Sequence, residues 1–297
     1  LIKILSNRIK LLPFFVLLTA CAGGEYSKYT EKDEGPFEAR ARNNLAANNP
    51  MGLVKVGEGF ERSGNLTAAL NMYGQAMAAD ASLIEPQVAY ARVLIKGGER
   101  ERGLAVLTAL IADHPERNDV RTELTRFYVA EGNFEAAQLF FQPIADADTV
   151  APASLLLGGK IAAVMGEGTK AREMFERALV AVPGNPEILE NLGLSFALEG
   201  EFAAANGLIQ QAMDEPSGLI SGKIALATIY ALSGQTDAAM QLAYGSMKRE
   251  EANAKLVFYQ LLPRMNEREQ AEAVFFNRVP KDALARLSGN VTVGASN

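Results

Sequence analysis

Between residues 50 and 253, apolar and polar positions alternate at the spacing of amphipathic helices, and the pattern returns every 34 residues. Within one unit, Leu189, Leu192, Gly193 and Phe196 share one helical face, and Phe202, Ala205, Ile209 and Ala212 share a face of a second helix. Two antiparallel helices per unit follow. Gly64, Gly98, Gly132, Gly166, Gly200 and Gly234 stand 34 residues apart, between the helices of each pair. A glycine there can take the left-handed conformation that ends one helix and turns the chain into the next. Small residues mostly fill two more stripes in the same register, Gly57, Ala91, Thr125, Gly159, Gly193, Ala227 and Ala69, Gly103, Ala137, Ala171, Ala205, Ala239. Larger apolar residues mostly fill Phe60, Leu94, Tyr128, Ala162, Phe196, Tyr230 and Tyr73, Leu107, Phe141, Phe175, Ile209, Ala243. Small residues at a helix crossing let two backbones approach, and the large ones fill the space beside them. Pro115 and Pro183 fall at unit ends, where a missing amide donor does least harm.

Departures from the pattern make their own predictions. Pro143 lies inside the second helix of the third unit, so a kink or early end is expected there. The sixth unit contains Gly245 and ends without proline at Glu251. Ala252 to Leu262 and Glu267 to Val279 read as a degenerate seventh pair, broken at Pro263, that caps the last apolar face; Ser288 to Asn297 reads as loose polar chain.

The segments Glu131-Gly132-Asn133-Phe134-Glu135-Ala136-Ala137 and Glu199-Gly200-Glu201-Phe202-Ala203-Ala204-Ala205 resemble the turn and second-helix start of tetratricopeptide-repeat (TPR) units. The resemblance covers about residues 50–253. It implies an all-α fold, a TPR superhelix (right-handed α-solenoid) of about six helix-turn-helix repeats, with residues 254–297 as capping helices and polar tail. An irregular helical bundle, the alternative, would not hold register through six units.

The chain opens differently. Lys3, Arg8 and Lys10 precede the apolar run Leu11 to Leu18, followed by small residues and Cys21, which is the layout of an export signal. Leu18-Thr19-Ala20-Cys21 resembles the lipobox of bacterial lipoproteins, which implies cleavage before Cys21 and acylation of its thiol. Residues 1–21 are then signal peptide and lipidation site, and residues 22–49 a tether with a short helix from Phe37 to Asn48. Each buried methylene of the lipid contributes about 0.8 kcal/mol, so several acyl chains anchor the protein durably. The apolar run is short of the roughly 20 residues a membrane span needs, and it contains Pro13. By the same resemblance Ala22, where an aspartate would retain the protein at the inner membrane, favours the periplasmic face of the outer membrane. Leu1 in place of methionine is expected of an alternative start codon or a slightly truncated fragment.

Composition narrows the function. The formal charge is −6 over the whole chain, and loss of the three N-terminal cations leaves −9. An acidic surface repels phosphate backbones, so nucleic acid is not an expected partner. One cysteine, Cys21, and one histidine, His114, permit neither an internal disulfide nor a cysteine/histidine zinc cluster. His114 precedes Pro115 at a unit end and reads as a loop residue. Gly57-Glu58-Gly59 and Gly166-Glu167-Gly168-Thr169-Lys170 follow no strand and lack the residue order of a phosphate loop. No enzyme, metal or cofactor is expected.

A surface remains. In TPR folds the first helices line the concave side, and one stripe on them reads Glu58, Arg92, Arg126, Lys160, Leu194 and Thr228. Arg92, Arg126 and Lys160 would form a basic row, and Leu194, Leu198, Ile224 and Leu232, with nearby alanines, an apolar floor for an extended or helical protein partner. The alternative is that these cations are scattered solubilising charges and the aliphatics pack between repeats. A lipobox joined to TPR units resembles the assembly lipoproteins of Flp (tight-adherence, Tad) pili and the lipid-anchored pilotins of type IV pili. That implies a scaffold for a secretin or pilus assembly subunits. A competing reading is an envelope adaptor that recruits cell-wall hydrolases or proteases.

Overall fold

The computed structural model describes residues 49–287 except Asp146 and Asp148. Cys21, the export signal, the tether and the tail from Ser288 lie outside the described residues. Among the described residues the regular elements are all helical, with 15 α-helices following one another in consecutive pairs. They fall into two compact units, one ending at Glu123 and one beginning at Leu124.

The turn glycines adopt the conformation their register requires. Gly64, Gly98, Gly132, Gly166, Gly200 and Gly234 all have positive φ, between 77° and 93°. In each turn the residue after the glycine donates its N–H to the carbonyl of the larger apolar stripe. Asn65 donates to Phe60, Glu99 to Leu94, Asn133 to Tyr128 and Glu201 to Phe196, all at 2.9 Å, and Glu167 to Ala162 and Gln235 to Tyr230, both at 2.8 Å. This reach across six residues satisfies a carbonyl left open at the helix end and fixes the chain reversal. Gly200 has no neighbouring atom within 4 Å of where a Cβ would stand. Gly200→Ala therefore isolates the backbone cost and is expected to destabilise by about 1–2 kcal/mol in thermal or urea unfolding, with Gly200→Asn less affected. A melting point unchanged by both would show that the turn does not need its left-handed residue.

The first unit contains α1 (Pro50–Arg62), α2 (Leu66–Ala79), α3 (Ile84–Lys96) and α4 (Arg100–Asp113), each packed on the next. Asn49 and Asn65 cap α1 and α2, accepting from the amides of Gly52 at 2.8 Å and Ala68 at 3.1 Å. Leu53, Val54, Ala69, Met72, Tyr73, Ala76, Ala89 and Val93 form the core of the first three helices. The crossing of α1 and α2 explains Gly57: a Cβ there would lie 2.5 Å from Cε1 of Tyr73.

The helix α5 (Asn118–Glu131) begins in the first unit and ends in the second. The second unit continues with α6 (Phe134–Ala145), α7 (Pro152–Val164), α8 (Gly168–Ala181), α9 (Pro186–Leu198), α10 (Phe202–Asp214), α11 (Leu219–Leu232) and α12 (Thr236–Tyr244). Partners α7/α8, α9/α10 and α11/α12 are tightly apposed, and successive pairs stack through α8 on α9 and α10 on α11. Pro143 stands third from the end of α6, which stops after 12 residues, and α12 stops after 9, before Gly245.

The last helices depart from a simple seventh pair. Helix α13 (Arg249–Leu261) takes the next place in the stack, on α12 and α11. A short 3-10 turn, Leu262–Arg264, then redirects the chain, with Leu262 and Met265 buried as its anchor. Helix α14 (Glu267–Phe276) runs back to pack on α7 and α9, and α15 (Lys281–Leu287) follows. Ala271 and Phe275, one turn apart, enter the core shared by α6 to α9, while Ala273 faces the cluster of α11 to α13. No helix among the described residues is long and apolar enough to cross a membrane.

Candidate functional site

The residues expected to line a partner groove lie on the first helices of the pairs, and their surroundings decide what they can do. Arg92, on α3 in the first unit, is engaged with acids. Its Nη2 lies 2.8 Å from Oε2 of Glu61 and its Nη1 3.5 Å from Oε1 of Glu123. Lys96 Nζ is 2.6 Å from the other oxygen of Glu61, and the Tyr73 hydroxyl donates to Glu61 at 3.2 Å. The Glu61 side chain is only 8% exposed. Burial alone would raise its carboxyl, but the hydrogen bonds and charges of Arg92 and Lys96 prevail and bring it from 4.5 down to about 2. Burial first, then the Glu61 charge, pushes the Tyr73 phenol up to about 12. Burial works against the Arg92 cation, yet the acids outweigh it and raise its value.

Arg126 is exposed on the part of α5 that belongs to the second unit. Lys160, on α7, is largely covered, and its ammonium is 3.9 Å from Glu187 of α9. Burial lowers its pKa, opposed by the charges of Glu187 and Glu190. Glu190 shifts upward, chiefly by burial, although the Ser221 hydroxyl of α11 donates to it. The basic stripe is thus interleaved with acids from neighbouring first helices. Its members also divide between the two units.

The aliphatic residues are half-buried. Leu194 and Leu232 pack on one cluster with Ala197, Ala205, Ile209, Ala225 and Ile229. Leu198 packs on the core of α6 to α9. Ile224 is half-buried on α11, its carbonyl accepting from Thr228 Oγ1 at 3.0 Å. His114 caps the end of α4, its Nδ1 3.8 Å from Glu116.

The sequence places a helix at Glu267 to Val279, but not its packing, as α14, on α7 and α9. Beside its first half an open cleft of about 480 Å³ is bounded by Ala163, Gly166, Ser195, Leu198, Glu199 and Ala271. The second half of the helix rests on aromatic rings. Phe275 meets Phe175 with ring centroids 5.8 Å apart, and Phe276 meets Phe134 at 5.2 Å. Arg278 closes the contact: its guanidinium lies over the Phe134 ring at 5.4 Å, and Nη1 donates to the Ala130 carbonyl at 3.2 Å. Two signals pointed to this helix. Asn266 to Glu269 is a capping box, and Ala271 and Phe275 recur four residues apart. Neither says against what the helix packs.

Residues 156–218 match the family described as Tetratricopeptide repeat. Over 214 residues, 66% of this chain, the sequence is 28% identical to the Vi polysaccharide export protein VexE of Salmonella typhi. The chain spans about a third of that relative's length, 31%. Among solved structures it resembles that of PilF from Pseudomonas aeruginosa, with a TM-score of 0.55 and 17% identity, covering 78% of this chain and 98% of that one. A MamA structure, MamA AMB-1, superposes with a TM-score of 0.45 at 21% identity, over 57% of this chain and 92% of that one. The paired helices with left-handed glycine turns are the TPR fold.

Proposed function

We propose that this chain is a non-catalytic TPR scaffold of the bacterial envelope, lipid-anchored through Cys21 at the periplasmic face of the outer membrane, which holds protein subunits during assembly of a pilus or secretion system. The observation that carries the reading is the groove of the second unit, where the first helices α7 and α9 receive a helix between open, unfilled space and aromatic anchors. A surface built to take a helix is a protein-docking surface. Leu198 lines the open part of this groove; the proposal extends it along the first helices, with Leu194, Ile224 and Leu232 as apolar floor and Arg126 and Lys160 as polar border. Arg92 serves the interior of the first unit, through Glu61 and Glu123. The name of PilF supports a pilus role, and the name of VexE an export role.

The test is a pull-down from solubilised membranes with the intact chain and a Cys21→Ser control. Enrichment of a secretin or pilus subunit with the intact chain is the expected result. Recovery of polysaccharide-export components instead would move the scaffold to the kind of machine VexE is named for. Recovery of cell-wall hydrolases or proteases would replace the assembly role with that of an adaptor. Equal membrane association of both forms would remove the anchor.

A further inference from the structure

Of the six turn glycines, only Gly132 is covered: a Cβ there would stand 2.7 Å from Nη2 of Arg278, whereas the other five have nothing within 4 Å. The covering residue belongs to the segment just after α14, which reaches back from the far end of the unit. Besides donating to Ala130, Arg278 Nη1 is 3.4 Å from the Val129 carbonyl, and Nε is 2.6 Å from Glu272. Its Nη2 is buried without a hydrogen-bond partner. Arg268, at the start of α14, pairs with Glu135 at 2.8 Å, and both side chains are about half exposed.

The seat of α14 is therefore uneven. A 10-residue helix has little stability of its own, so its contacts must hold it. Those contacts come from Ala271, Ala273 and Phe275, which are buried, from Phe276 on Phe134, from a clasp with one unsatisfied donor, and from an exposed ion pair of little worth. At the level of Phe275 the groove is filled; one turn earlier Ala271 is itself buried, and beside it the cleft of about 480 Å³ stays open, bounded also by Thr169, Glu199 and Glu267. Of its buried positions four residues apart, Ala271 and Phe275, α14 supplies a bulky side chain at only one.

We propose that α14 is a resident, displaceable occupant of the groove on α7 and α9, and that the groove takes an amphipathic partner helix bearing bulky apolar side chains at the positions of both Ala271 and Phe275. The partner gains the contacts α14 forgoes, and the chain closes over its own docking surface until such a helix arrives. This rests on the protein-scaffold reading, but it concerns only the groove and no particular partner.

Hydrogen exchange on the full chain tests the first half. Because a locally opening element exchanges ahead of the global transition, amides of α14 should be protected at least about 100-fold less than those of α9. Arg278→Glu, which sets a carboxylate against the Val129 and Ala130 carbonyls and Glu272, should speed α14 about 10-fold and α9 less than 2-fold. Equal protection of α14 and α9 in the unaltered chain overturns the proposal, and that measurement decides even if Arg278→Glu fails to fold. The second half uses a fluorescent peptide of residues 264–280. Its affinity should be about 10-fold higher for the Arg278→Glu chain, because closure reduces apparent affinity by the fraction of open molecules. The same peptide carrying Ala271→Leu should bind more tightly still. A peptide that binds neither chain, or binds both equally, also overturns the proposal. A positive result here beside an empty pull-down would remove the assembly role and leave the groove intact.

Discussion

Phe175→Ala is expected to lower the unfolding free energy of the second unit by about 4 kcal/mol, the loss found when a large buried aromatic side chain is removed and its cavity does not collapse. Phe175 is 0% exposed on α8, and three helices depend on its ring. On α7 it occupies the space that Gly159 leaves bare, since a Cβ at 159 would lie 2.5 Å from Cε1 of the ring. On α14 it meets Phe275. Collapse of the cavity would require α7 to move toward α8, but their approach is already fixed by Gly159 and by the Gly166 turn, whose Glu167 amide donates to Ala162. Urea unfolding followed by circular dichroism measures the loss. Leu139→Ala, at a position 70% exposed on α6, is the control and should change little. A cost below about 1 kcal/mol for Phe175→Ala would mean that the pair relaxes and that the small-against-large stripe is not the main source of its stability.

The repeating part of this fold was legible because it is local and periodic. A glycine that must take positive φ leaves a mark every 34 residues, and the hydrogen bond it permits, as from Asn133 to Tyr128, joins residues five apart. The early end of α6 after Pro143 was legible for the same reason, since a proline acts on the turn it occupies. The fate of α14 was not. Phe275 finds Phe175 100 residues earlier, and Arg278 finds the Val129 carbonyl 149 residues earlier. Contacts of that separation fall outside any period, and a short amphipathic helix carries no address for the face it will cover.

The charges of the groove stripe were only half readable. A basic row appears when Arg92, Arg126 and Lys160 are read at intervals of 34, along one stripe. Electrostatic partners of stacked first helices lie at a different interval. Arg92 reaches Glu61 and Glu123, each 31 residues away, and Ser221 reaches Glu190 across the same interval. An interval of 31 beside that of 34 is therefore enough to pair Arg92 with both of its acids. Lys160 still escapes, because its nearest acid, Glu187, is 27 residues on.

Glu61→Gln is expected to destabilise the first unit by about 2 kcal/mol at pH 7, less than for a fully buried ion pair because Arg92 and Lys96 are partly solvated. The substitution keeps the shape of the side chain and one acceptor for the Tyr73 hydroxyl, so the loss reports the charge. What remains for Arg92 is Glu123 at 3.5 Å. The pH dependence separates this from a packing effect. In the folded chain Glu61 is depressed from 4.5 to about 2, so the unfolded state binds its proton first as pH falls. Its contribution is complete above the unfolded value, declines as pH drops below 4.5 and is gone once pH passes below about 2. The unaltered chain should therefore lose stability through that window more steeply than the Glu61→Gln chain, and the two curves should converge at its acid end. Chemical unfolding at a series of pH values gives both curves. Parallel curves would show that the carboxylate gains no more from Arg92 and Lys96 in the fold than from water in the unfolded chain, and the cluster would then be a spacer between α1 and α3 rather than an electrostatic tie.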